Sequence, residues 1–175
     1  MDTLSINMLL SCKRLTSRHY RGCFPSDMLP EIYSYPACII ANTDPSTRRG
    51  KHWVCLFIAS SRLAYFFCPF GRRPNGHILR YLRRFETIVR NKCEFQPKNS
   101  ITCGLYAIFV AYWLCANFTY EDILNELCES KNPDNTVMEF LSSLIASCKR
   151  KDLKRKVRNA AVSMVHHNAG QSLVP

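Results

Sequence analysis

Three side chains in this 175-residue sequence have types and spacings suited to nucleophilic attack on a carbonyl: Cys103, His52 and Gln96. Cys103 follows Asn99-Ser-Ile-Thr and opens an apolar stretch that predicts a buried helix from about Thr102 to Phe118. At a helix N-terminus, unpaired N–H groups and the macrodipole favour a thiolate over a thiol. Gly104, directly after it, removes side-chain bulk, so that a substrate backbone can approach the sulfur and nearby N–H groups can face a developing oxyanion. His52 precedes Trp53, whose bulk suits a wall against water, and a neutral imidazole there can take the proton from a thiol. Gln96 lies seven residues before Cys103, across a turn, where its amide N–H can complete an oxyanion hole. Each residue alone has an ordinary explanation, because a thiol usually fills core space and a turn glutamine is usually solvated. Their order and combination carry the reading.

The elements that must hold these groups are legible in outline. Residues 37–41 form a short apolar run between Pro36 and the turn residues Asn42, Asp44 and Pro45, a candidate interior strand. His52-Trp-Val-Cys-Leu-Phe-Ile58 and Leu63-Ala-Tyr-Phe-Phe67 flank Ser60-Ser61-Arg62, which predicts a β-hairpin. The lack of alternation implies that both of its faces are covered. A turn centred on residues 60–61 makes opposing positions sum to about 120 or 121, which sets Cys68 across from His52. A Pro- and Gly-rich loop, 69–76, leads to a predicted helix from His77 to Asn91 with Ile78, Leu79, Leu82, Phe85, Ile88 and Val89 on one stripe. Cys93 to Phe95 reads as a short strand. Thr119 caps a helix through about Glu129, and a last helix runs from about Asn135 to Cys148. Residues 1–24 show only one short amphipathic turn, at Leu4, Ile6, Leu9 and Leu10. The organisation expected is one domain over 1–148, with its motif-bearing core at 24–125, and a basic tail over 149–175.

A chain that is 47% hydrophobic and 21% charged, with six glycines and no short period, excludes global disorder, collagen-like and solenoid architectures. Its longest uncharged stretch falls short of the ~20 apolar residues of a membrane span. Ten cysteines without a CxxC pair predict reduced thiols in an intracellular compartment, and His166-His167 lacks the partners of a metal site, so no metal is expected. The formal charge of +11 favours a polyanionic partner such as DNA. Two groups carry it: Arg72, Arg73, Arg80, Arg83 and Arg84, and the run of Lys149, Arg150, Lys151, Lys154, Arg155, Lys156 and Arg158. The second also reads as a solubilising tail or a nuclear-import signal.

Together, Tyr35-Pro-Ala-Cys-Ile-Ile-Ala-Asn-Thr, Gly50-Lys-His-Trp-Val, Phe67-Cys-Pro-Phe-Gly71, Gln96, Asn99-Ser and Thr102-Cys-Gly-Leu105 resemble the adenovirus-type cysteine proteases, the adenain family of adenovirus-like and Maverick-type elements. The resemblance implies an α+β fold, a mixed central sheet flanked by helices. It also implies His52 as general base, Cys103 as nucleophile and Gln96 in the oxyanion hole, with Trp53 and Gly104 against the substrate. The activity implied is thiolate acyl transfer on viral precursor polypeptides, cut after small residues by a monomer in the host nucleus and virion. Stimulation by DNA and by a short viral peptide belongs to the same implication. One departure stands out: the family carries an acid where this chain has Cys68. A bare Cys103/His52 pair then works at a loss of roughly 10- to 10⁴-fold, unless Asn42 or Asn75 takes the acid's part. Cys93 lies too close to Gln96 for the peptide-linked role. A catalytically silent module of this fold that binds nucleic acid or capsid protein, and a protease of ubiquitin-like modifiers, are the alternative readings.

Overall fold

The computed structural model describes residues 1–148. Readings that fall on 149–175, including the seven basic residues from Lys149 to Arg158, lie outside the described residues. Strands β1 (Tyr20–Pro25), β2 (Ala37–Asn42), β3 (Trp53–Ile58), β4 (Leu63–Phe67) and β5 (Thr87–Arg90) make one sheet in the order β1-β2-β3-β4-β5. The three inner strands pair antiparallel, and β1 and β5 join the edges in parallel, so the sheet is mixed. Helices α1 (Thr3–Ser11), α2 (Arg14–Ser17), α3 (Gly76–Leu82), α4 (Cys103–Cys115), α5 (Tyr120–Glu129) and α6 (Pro133–Ser147) flank it. The architecture is the α+β one expected.

Strand side chains alternate between two cores. Cys38, Ile40, Cys55, Phe57 and Phe67 join the cluster built around α4, with α1, α5 and α6 completing it. Ala37, Ile39, Ala41, Val54, Leu56, Ile58, Ala64 and Phe66 face the other way, onto Ile78, Tyr81 and Leu82 of α3. Two covered faces are why the sequence shows unbroken apolar runs in place of alternation. Helix α4 buries residues on every side, which an all-round apolar helix requires. It stops at a left-handed Asn117 (φ 66°), where Asn117 N–H donates to Leu114 O and Phe118 N–H to Trp113 O. Thr119 then accepts from Asp122 N–H and caps α5, as its spacing predicts.

Several expectations need correction. The helix drawn over 77–91 ends at Leu82, and Thr87–Arg90 is strand β5, because the β-branched Thr87-Ile88-Val89 run suits a pleated edge better than a helix. Cys93 to Phe95 is no strand; Phe95 and Gln96 N–H groups both donate to Pro69 O, tying this segment to the loop after β4. The weakly patterned N-terminus forms α1, α2 and β1. Its missed signal is Asp2, whose carboxylate caps α1 by accepting from Ser5 N–H at 2.7 Å, ahead of buried Ile6, Leu9 and Leu10. The reading of ten reduced thiols also changes, since Cys12 and Cys148 are joined as a disulfide and eight cysteines are free.

Candidate active site

Cys103 is the first residue of α4, and the turn before it is held by a buried carboxylate. Asp134, at the start of α6, accepts from Ser100 Oγ (2.7 Å), Thr102 Oγ1 (3.0 Å) and Tyr106 OH (2.8 Å). The Ser100 carbonyl also accepts from Gln96 Nε2, 2.6 Å away. The oxyanion candidate, the cap position and the first turn of α4 thus share one network. Sequence reading missed Asp134, since its three partners lie 28 to 34 residues away and only its place after Asn132-Pro133 is locally visible.

The Cys103 sulfur lies against the start of β3, faced by backbone N–H groups of Trp53, Gly104 and Cys103 itself. Burial nonetheless outweighs them and pushes the thiol up from its ordinary value. The helix start alone therefore does not produce the thiolate expected of it. Gly104 differs from expectation too, because the space beside it is filled. A Cβ there would stand 3.2 Å from Met1 Cβ and 3.3 Å from Trp53 Cδ1. Trp53 Nε1 donates to Met1 O at 3.1 Å, so Met1 is held along the indole, beside Gly104. A cavity of about 460 Å³ adjoins this contact, lined by Met1, Phe24, Asn42, Arg48 and Trp53 among others.

His52 sits immediately before β3, its carbonyl accepting from Thr43 N–H. Its ring stacks on Phe70 with centroids 4.8 Å apart, and the Arg72 guanidinium lies over the same phenyl ring at 4.8 Å. Burial first, and the Arg72 charge second, push His52 down to about 4, so the imidazole is neutral near pH 7. Its Nε2 is 3.4 Å from Cys68 Sγ. The hairpin pairs Cys55 with Phe67, a sum of 122, so the ladder is offset slightly from the expected register and position 70 is formally opposite His52. The turn closed by Gly71 N–H on Cys68 O brings both Cys68 and Phe70 to the ring. Gly71 is required there, because it has φ +61° and a Cβ would collide with the Lys92 carbonyl oxygen.

Asn91, also missed, fixes Cys68 from both sides: Cys68 N–H donates to Asn91 Oδ1 (2.9 Å) and Asn91 Nδ2 donates to Cys68 O (2.7 Å). Burial pushes the Cys68 thiol up, so this position supplies a neutral sulfur where a carboxylate was sought. The suggested substitutes are spent elsewhere. Asn42 accepts from Asp44 N–H, while Asn75 caps α3 and donates to Thr43 O. Gln96 is buried, with one N–H on Ser100. Of the five loop and α3 arginines, two have internal partners: Arg72 over Phe70, and Arg84 in an ion pair with Glu31 at 2.6 Å while stacked on Tyr81.

The fold that carries these residues has a counterpart among solved structures. The crystal structure of ASFV pS273R protease superposes with a TM-score of 0.55 at 16% identity, over 78% of this chain and 63% of that one. The two chains share a fold. A selenomethionine crystal structure of the same protease aligns over 57% of this chain and 41% of that one, with a TM-score of 0.43 and 22% identity. No family model matches the sequence, and no curated protein is detectably similar to it. The chain spans less than two thirds of the length of the pS273R protease.

Proposed function

We propose that this protein is a viral-type cysteine endopeptidase acting through Cys103 and His52. The observation that carries the reading is the seating of Cys103 at the start of α4 against the Trp53 N–H, next in sequence to a neutral imidazole, in a fold shared with a protease. In the tautomer whose Nε2–H donates to Cys68 Sγ, Nδ1 of His52 is the basic nitrogen. It takes the Cys103 proton as the sulfur attacks a peptide carbonyl carbon. The tetrahedral oxyanion faces the Cys103 N–H and the second amide N–H of Gln96. Collapse breaks the C–N bond, the leaving amine takes the proton from His52, and a thioester remains. Water, deprotonated by the same ring, then releases the acid and restores the thiol. Precursor polypeptides with small residues at the cut, and DNA as an activator on the loop and α3 arginines, fit the family resemblance and the +11 charge.

A second reading has its own support: Cys68 in the acid's position, a Cys103 thiol pushed up by burial, and Met1 filling the space beside Gly104 suit a silent module of the same fold. A peptide vinyl sulfone, applied with and without DNA, separates the two. The enzyme reading expects labelling that disappears in Cys103→Ala and falls in His52→Ala. Absence of labelling under every condition establishes the silent module, and cleavage only of a ubiquitin-like fusion at Gly-Gly redirects the substrate assignment.

A further inference from the structure

A groove of about 600 Å³ opens between α4, α5 and α6. Its floor is aromatic: Trp113 packs on Phe118 with centroids 4.7 Å apart and on Phe140 at 5.8 Å, and Phe118 is left 51% exposed. Its rim is acidic, from exposed Asp122, Glu126 and Glu139. This sign is unusual for the chain. Residues 119–148 hold six acidic side chains against one basic, a local charge of −5, while residues 1–118 hold sixteen basic against six acidic. The next ten residues, 149–158, hold seven basic against one acidic.

We propose that this groove docks the chain's own basic segment, residues 149–158. Thr136, Phe140 and Ser143 lie on one stripe of α6 that continues to Ser147, so the groove runs toward the point where the chain leaves the helix. Cys148 is extended (φ −80°, ψ 125°), which ends the helix there. The distance back along α6 from Ser147 to Thr136 is ~17 Å at ~1.5 Å per residue, and ten extended residues reach ~33 Å. The segment is long enough to lie along the whole groove. Lysine and arginine fit it in both parts, with aliphatic stems and cationic heads on the aromatic rings and charge toward the carboxylates. Tethering supplies an effective concentration that no separate basic peptide matches unless it is abundant.

The test is zero-length carbodiimide cross-linking of the full chain, read by peptide mass spectrometry. Amide links from Lys149, Lys151, Lys154 or Lys156 to Asp122, Glu126 or Glu139, found in the monomer band, support the docking. Links confined to a dimer band assign the groove to a second copy and overturn it, as do equal yields to Glu31 and Glu86. Limited trypsin digestion supplies an independent readout. In Glu126→Gln/Glu139→Gln, two exposed changes that leave the core intact, cleavage within 149–158 is expected to rise about fivefold, the loss of two surface ion pairs. An unchanged rate overturns the proposal.

Discussion

A buried imidazole beside a guanidinium stays neutral well below the pH at which histidine ordinarily gains its proton, and His52 is such a ring. The unfolded chain takes up this proton near the ordinary 6.5, whereas the folded chain resists until about 4. Stability linked to His52 is therefore complete above pH 6.5, declines as pH falls through that window, and is lost once pH passes below about 4. Urea midpoints measured from pH 7 to 4 should fall, and His52→Gln should flatten the slope; a parallel slope in the variant would assign the effect elsewhere. Cys68 is the other decisive position. Cys68→Asp puts a carboxylate in place of the sulfur that lies 3.4 Å from Nε2, which favours the imidazolium and so the Cys103 thiolate. Iodoacetamide should then alkylate Cys103 about tenfold faster near pH 7, and turnover should rise with it. An unaltered rate would mean that the acid's place in this site is not at position 68.

Secondary elements are legible where one physical preference dominates. The unbroken apolar run of α4 admits only a buried helix, and two apolar runs around Ser60-Ser61 announce the hairpin. Strand β5 is hidden because Ile88 and Val89 also satisfy a helical stripe, and only pairing with β4, a tertiary fact, selects the extended form. Asp134 is hidden for a similar reason: a lone acidic residue after a proline reads as the start of a helix, whereas its partners are hydroxyls on α4 and the turn before it. The candidate pair His52 and Cys103 is readable from spacing; what surrounds them, Asn91, Phe70 and Met1, is not. Asp134→Ala removes the acceptor that the Ser100, Thr102 and Tyr106 hydroxyls share, leaving Tyr106 OH on Phe95 O and the Ser100 and Thr102 hydroxyls on each other, and should cost about 1–3 kcal/mol in urea unfolding. Asp134→Asn keeps an acceptor and should recover most of it. Equal stability of the alanine variant would show that water serves those hydroxyls.

The molecule as a whole is a sheet between two cores, with the Cys103 sulfur at one end of the central helix and Met1 packed beside Gly104 in that helix's first turn. The Trp53 indole holds that residue by a single hydrogen bond to the Met1 carbonyl. Trp53→Phe keeps an aromatic ring and removes the donor, at a cost to the covered form of about 1 kcal/mol. Alkylation of Cys103 by a small reagent should accelerate about fivefold, in line with that cost. No acceleration would mean that Met1 does not obstruct the reagent. The consequence reaches beyond one rate: Met1 occupies the space beside Gly104, so any segment laid along the first turn of α4 must first displace it.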